Sequence, residues 1–400
     1  MNIIRINPAE TADETPAQAD LFGLADGASR FALEVPPEIE SVLDAGAPAF
    51  IGVSGGRDSQ ALAYRVCAHL DDIGHRGQRF LIHSDLGRVE WRDSLPVCER
   101  LAQRLGVELI VVRRKAGDMM DRWMSRWAGN VARYENLECV KLILPWSSAS
   151  QRFCTSELKS QVLAREMRRR FPEGDVVSAV GIRREESANR ARMPAWKKDE
   201  RLTRRRGVGH TWNAILGWRR QDVNDYVRSR GDVLHEAYRI YGTTRVSCAF
   251  CVMGSEHDLR ASSNCVENQA IYREMVELEA VSTFSFQSTR WLGDLAPDLL
   301  DASLRARVQE AKERAERRVA AESRLPEHLL FVKGWPTVMP TAEEGQLIAE
   351  VRREVAAAVG LKVKHTDRDS VLARYQELIA VAVAKASAKG LPLHLEEIEA

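Results

Sequence analysis

"FIGVSGGRDSQ", Phe50–Gln60, runs from an apolar segment into two glycines, two serines and an aspartate. The apolar half, preceded by Ala47-Pro48-Ala49, reads as a buried strand. The half beginning at Asp58, "DSQALAYRVCAHLDD", carries helical spacing through Leu62, Val66 and Leu70. The glycines therefore stand where a strand turns into a helix. Such a turn gathers unpaired backbone N–H groups at the positive end of a helix dipole and makes an anion site. Gly55 and Gly56 allow the positive φ of a tight turn and a close approach of the backbone to a phosphate, and Ser54 and Ser59 add hydroxyl donors. The stretch has neither the lysine of G-x-x-x-x-G-K-[ST] nor the spacing of G-x-G-x-x-G, so an ordinary P-loop and a dinucleotide fingerprint are both disfavoured. Asp58 needs a cation or a donor between it and any phosphate, and Arg57, at the variable position, reads as a surface charge.

Outward from this turn, "PPEIESVLDAG" predicts a short helix before the strand, "RFLIHSD" a second strand, "EWRDSLPVCERLAQRLG" a helix and "VELIVVRR" a third strand. This βαβαβ order predicts an α/β fold with a parallel twisted sheet, right-handed crossovers and flanking helices. "ELKSQVLAREMRRRF" and "DVVSAVGIR" extend it by a helix and a strand, so the sheet is expected from about residue 45 to 185. "GWRRQDVNDYVRSRG" reads as a later helix, a cysteine-bearing loop follows at 246–265, and the chain beyond about 300 is charged and helical, a solvated extension by its pattern. The expected divisions are a polar arm at 1–35, the α/β domain at 36–240, a cysteine loop with its helix at 241–285, and a helical extension at 286–400. In the arm, "DLFGLADGASRFAL" has apolar residues that suit docking on the main body.

Lysine and arginine total 58 against 57 acids, so only local clusters can make a field strong enough to hold a polyanion. Between Arg152 and Arg206 basic residues outnumber acidic ones about two to one, and "RLTRRRGVGHTW" lies beside Trp196 and Trp212, a mixture that suits phosphate contact with base stacking. No segment approaches the ~18 apolar residues of a membrane span, and the first residues lack a signal-peptide pattern; the expectation is a cytoplasmic protein without a membrane partner. The seven cysteines are odd in number, which argues against a disulfide framework and for metal or redox use. Cys67, Cys98 and Cys139 read as core. Cys248-x2-Cys251-x13-Cys265, with Cys154 as a fourth thiolate, suits an iron–sulfur cluster or Zn²⁺, and buried unliganded thiols are the third reading.

The SGG-x-DS stretch closely resembles the PP-loop of the N-type ATP pyrophosphatases and the phosphoadenosine phosphosulfate (PAPS) reductase family. "HSDLGRVEW", "CTSELK", "GIRREESANRA" and "WRRQDVNDYV" resemble further elements of that family in family order, with Asn224 where a tryptophan is usual. The resemblance implies an adenine nucleotide alpha hydrolase-like (HUP-type) fold that holds ATP, PAPS or another adenylyl nucleotide. It makes Ser54, Gly55, Gly56, Asp58, Ser59, His83, Asp85 and Gly87 the nucleotide-binding residues, and Asp58, Lys159 and Arg183 the catalytic ones. Mg²⁺ would be held by Asp58, Asp85 and Glu185.

The same resemblance favours a [4Fe–4S] cluster on Cys154, Cys248, Cys251 and Cys265, with Zn²⁺ as the alternative. PAPS reductases attack sulfur with a cysteine near the C-terminus, but here no cysteine follows Cys265. The expectation is therefore an ATP-using relative, similar to the DNA phosphorothioation proteins, that adenylates an acceptor, releases pyrophosphate and supports sulfur transfer. Its partners would be a DNA or RNA substrate and a sulfur donor such as a cysteine desulfurase. The alternatives are a PAPS or adenylylsulfate reductase and a non-catalytic nucleotide-binding component of a defence or phage complex.

Overall fold

The computed structural model describes residues 4–6 and 30–387. The rest of the arm at 1–35 and the chain beyond 387 lie outside the described residues. By its internal contacts the chain forms two compact units, Met1–Met120 with Ala149–Gln269, and Asp121–Ser148 with Ala270–Ala400.

The first unit is built on a seven-stranded sheet. Its strands are β1 (Ile4–Ile6), β2 (Ala49–Gly52), β3 (Arg79–Asp85), β4 (Glu108–Arg113), β5 (Val176–Ala179), β6 (Trp196–Lys198) and β7 (Gly209–Trp212), in the spatial order β1-β4-β3-β2-β5-β7-β6. The five central strands are parallel, and β1 and β6 are antiparallel edge strands. The helices are α1 (Pro37–Asp44), α2 (Arg57–Asp72), α3 (Ser94–Leu105), α5 (Gln161–Arg170), α6 (Arg220–Ser229) and α7 (Glu256–Ser263), α4 being reserved for Met119–Glu135, which leads into the second unit.

The sheet is buried on both faces, as parallel sheets require. Because side chains alternate across a strand, Ile51, Leu81, Leu109 and Val177 pack with α1, α2, α3 and α6. Phe50, Phe80, Ile82, Ile110 and Val176 pack instead with Ala164 and Met167 of α5. Phe31, Leu33 and Val35 of the expected arm lie against the first of these layers. The sheet also runs further than the sequence suggests: it gains β1 at one edge and reaches residue 212 at the other. "GHTW" escaped a period-based reading because its four residues are buried together with only one large apolar side chain among them.

In the second unit, α4 joins α8 (Gln269–Ser282), α9 (Ala302–Glu322), α10 (Ala342–Val359) and α11 (Arg368–Ser387). These helices have their own core. Trp146 is fully buried with Trp123 and Phe286 edge-on at 5.3 and 5.2 Å. Buried Arg352 donates to the carbonyls of Tyr134, Glu135, Lys364 and His365. Buried Glu279 accepts from the amides of Phe286, Leu292 and Gly293. The helices after 300 are thus packed elements, with Leu304, Val308, Ile348, Val351 and Val355 inside, and not a solvated extension.

Candidate functional site

The chain leaves β2 towards β3 and leaves β5 towards β7, so the neighbours β2 and β5 diverge at their carboxyl ends. That crevice is where open α/β sheets take ligands. The glycine loop closes one side of it. Gly55 has φ +75°, and a Cβ there would lie 2.9 Å from the Ser94 carbonyl oxygen and 3.2 Å from the His235 ring, so only glycine fits. Ser59 braces the turn by donating to the Gly56 carbonyl at 2.8 Å and accepting from the Ser54 amide at 3.2 Å. The four consecutive amides of Gly55, Gly56, Arg57 and Asp58 meet no acceptor among the described residues, and Ser54 is exposed beside them. Four unpaired N–H groups at the start of a 16-residue helix are an anion-binding concavity.

From the β5 side, Arg183 is buried and its Nε donates to Asp58 at 2.5 Å, while its guanidinium also pairs with Glu185. Gly181 brings the two loops together: a Cβ on it would lie 3.0 Å from the Asp58 carbonyl. Burial pushes the Asp58 carboxyl up, and neighbouring Arg183 opposes that rise without cancelling it. Glu185 further accepts from the Arg220 amide at 2.6 Å. Asp85 accepts from the Gly87 amide at 2.7 Å and from Arg113 Nε at 2.5 Å. Gly87, at φ +74°, lies so close to Asp118 that a Cβ would stand 2.4 Å from that residue's own.

His83 is buried under the loop, with Nδ1 3.0 Å from the Val53 carbonyl and Nε2 3.2 Å from Glu90. Burial alone would lower its pKa, but hydrogen bonding with Cys98 and Glu90 raises it well above the ordinary value. His235, a residue that sequence reasoning missed, is buried against Gly55. Its Nδ1 accepts from the Ala237 amide at 3.0 Å and its Nε2 lies 3.3 Å from Ser94 Oγ. Burial lowers its pKa to about 4.

Lys159 sits in a π-helical turn, Ser156–Ser160, of the kind often found at functional sites. Ser84 at the end of β3 donates to the Leu158 carbonyl at 2.5 Å and so anchors this turn to the sheet. Lys159 is half-buried, and no hydrogen bond or ion pair engages its ammonium among the described residues. Its neighbour is Cys248, whose thiol burial pushes up to about 12 while Lys159 pulls it down. Cys251 and Cys154 act on the same thiol, so these three cysteines share one locale. Cys265 does not join them. It is buried, donates to Glu267 at 3.3 Å and hydrogen-bonds with Tyr241.

No group of three or more His, Cys, Asp or Glu side chains that could hold a metal ion occurs among the described residues. Of the four cysteines, Cys265 is turned to Tyr241 and Glu267. Asp58 and Glu185 meet on the guanidinium of Arg183, and Asp85 is engaged by Arg113 and the Gly87 amide.

Arg57 differs from the sequence expectation. It is buried, not a surface charge: it donates to the Thr244 carbonyl at 2.6 Å and to Asn224 at 3.2 Å, and its guanidinium lies 3.8 Å from the Tyr238 ring. The basic stretch differs from expectation too. Arg184 pairs with Glu34, Arg190 with Glu186, Arg201 with Asp199 and Arg206 with Glu173, and Arg204 donates to the Leu202 and Gly174 carbonyls. Trp212 is fully buried and cannot stack on a base, while Trp196 is half-buried and donates to His210.

A parallel sheet with a glycine turn of unpaired amides at its switch point defines a nucleotide-binding α/β protein of the PP-loop kind. The chain belongs to the phosphoadenosine phosphosulfate reductase domain family, whose model matches residues 48–252. Those bounds take in β2 to β7, Lys159, Arg183 and the pair Cys248 and Cys251. The family is one of enzymes that bind an adenine nucleotide. The chain is also similar to the uncharacterized 37.8 kDa protein in the gpa 5′ region of Escherichia phage 186, at 26% identity over 238 residues, covering 52% of this chain and 68% of the phage protein. No helix among the described residues is long and apolar enough to cross a membrane.

Proposed function

We propose that the loop Val53–Ser59 holds the phosphates of ATP or a related adenylyl nucleotide and that the protein breaks the nucleotide at its α-phosphate. An acceptor oxygen attacks the α-phosphorus, the bond to the bridging oxygen breaks, and pyrophosphate leaves with that oxygen and its electron pair. The observation that carries this reading is the row of four amides, Gly55–Asp58, unpaired at the start of α2 beside the β2/β5 crevice. Such preorganised donors stabilise charge that grows on phosphate oxygens. Lys159, whose ammonium meets no partner among the described residues, neutralises the departing group; Asp58 holds Arg183 at the mouth of the loop.

The adenylated acceptor is then open to displacement of AMP by sulfur. Cys154, Cys248 and Cys251 beside Lys159 support a sulfur-transfer role, with a cysteine desulfurase as the fitting class of donor. For a DNA or RNA acceptor, Arg184, Arg190, Arg201 and Arg206 are already paired with carboxylates, and Arg205 stands exposed beside them.

The test is product analysis with ATP and with PAPS. Pyrophosphate from ATP, lost in Lys159→Met, is the expected result. Sulfite from PAPS with no pyrophosphate from ATP would contradict the reading and favour a reductase.

A further inference from the structure

Arg57 occupies two environments at once. Its amide is one of the four unpaired N–H groups that face the anion site. Its side chain is buried and holds a different part of the unit: Thr244 by the carbonyl, Asn224 of α6 by the side-chain oxygen, and Tyr238 by its ring. The contacts with Thr244 and Tyr238 lead towards the cysteine segment. Thr244 is fixed from its other side by Asp258, which accepts from its amide at 2.6 Å and from its hydroxyl at 2.8 Å. Tyr238, under the guanidinium, takes the Val246 amide on its hydroxyl at 3.0 Å. Two residues on, Cys248 begins the C-x2-C pair, and the Ala249 amide donates to the Val89 carbonyl at 2.8 Å. Asn224, which stands where a tryptophan is usual in the helix it resembles, is here a hydrogen-bond acceptor for the loop's arginine.

We propose that Arg57 is a positioning residue that couples occupancy of the glycine loop to the conformation of the cysteine segment Thr243–Cys251. A phosphate drawn onto the Arg57 amide shifts the same residue whose guanidinium grips Thr244, so the ligand acts on the cysteines through one side chain. The proposal rests on the nucleotide reading for the ligand of the loop, but not for the grip itself. A purely structural arginine would stabilise the segment without making it respond to nucleotide.

The experiment is alkylation by iodoacetamide, read at each cysteine by peptide mass spectrometry, in the wild type, Arg57→Met and Arg57→Lys. It is run without nucleotide and with MgATP at concentrations shown by calorimetry to saturate each protein. Without nucleotide, Arg57→Met raises the rates at Cys248 and Cys251 about tenfold through local opening, while that of fully buried Cys265 stays unchanged. In the wild type MgATP changes those two rates by about threefold or more; in Arg57→Met bound MgATP leaves them unmoved; and Arg57→Lys, which keeps a cation over Tyr238, recovers part of the response. Wild-type rates in nucleotide-free Arg57→Met would overturn the proposal. So would a full MgATP response in that variant. If the wild type fails to bind ATP, the nucleotide reading falls, and the nucleotide-free arm still decides whether Arg57 holds the segment.

Discussion

The glycine loop at residues 53–59 and the basic stretch at 152–206 both read as anion-binding surfaces, and they differ in how their polar groups are engaged. In the loop, four amides and the nearby Lys159 keep their hydrogen-bonding capacity free of protein partners among the described residues. In the basic stretch Arg184, Arg190, Arg201, Arg204 and Arg206 are engaged by carboxylates or carbonyls, while Arg205 stands exposed. The difference teaches that a count of charges does not locate a site; polar groups left unpaired in a concave place do.

Lys159 is where the comparison predicts the largest effect. With no partner to lose, Lys159→Met leaves the fold intact and lowers pyrophosphate release by ~100-fold or more, the usual scale for removing one donor to a developing oxyanion. An unchanged rate would put the cation outside the chemistry.

Gly55→Ala comes next. A side chain at φ +75° that meets the Ser94 carbonyl at 2.9 Å destabilises the first unit by about 1–3 kcal/mol and weakens nucleotide binding. Chemical denaturation and calorimetry check both, and a neutral variant would show that the loop relaxes freely.

A smaller effect comes from His235. Its folded pKa, near 4, lies below the ordinary value of 6.5, so the neutral ring is the form the fold prefers. Its stabilising contribution is complete above pH 6.5 and is lost as pH falls towards 4, because protonation would turn Nδ1, the acceptor for the Ala237 amide, into a donor. The melting temperature should fall across that window, and His235→Asn, which keeps a capping acceptor, should flatten the fall. A wild-type profile that stays flat would remove the assignment.

The smallest effect belongs to the basic stretch. Arg206→Ala breaks an exposed pair with Glu173 and costs only about 0–1 kcal/mol, with nucleotide affinity unchanged. A drop in single-stranded DNA affinity of tenfold or more would break the contrast between the two stretches.

Much of the fold was legible because β2, β3, β4 and β5 are runs of buried apolar residues ending in turns, and the glycine motif marks where the first of them stops. β7 was not, since its burial comes from the strands and loops around it and not from its own composition. The site divides in the same way. Ser54, Gly55, Gly56, Asp58 and Ser59 are neighbours in sequence and therefore neighbours in space. Arg57 was misread because its partners lie 167 and 187 residues away, at Asn224 and Thr244. Asn224 itself was the available signal, as the departure from the expected helix pattern. Cys265 is the reverse case: its spacing from Cys251 suits a ligand, and in the fold Glu267, two residues on, takes its thiol. Nothing in the local pattern of Asp121–Ser148 shows that it packs with the helices after 270.

The most direct test of the loop as a phosphate site is the ¹H–¹⁵N spectrum of the amides Gly55–Asp58 during titration with MgATP. All four resonances are expected to move together with one saturating affinity, while the amides of residues 201–206 stay in place. Saturation of ATP binding with those four resonances unmoved would contradict the phosphate-site assignment.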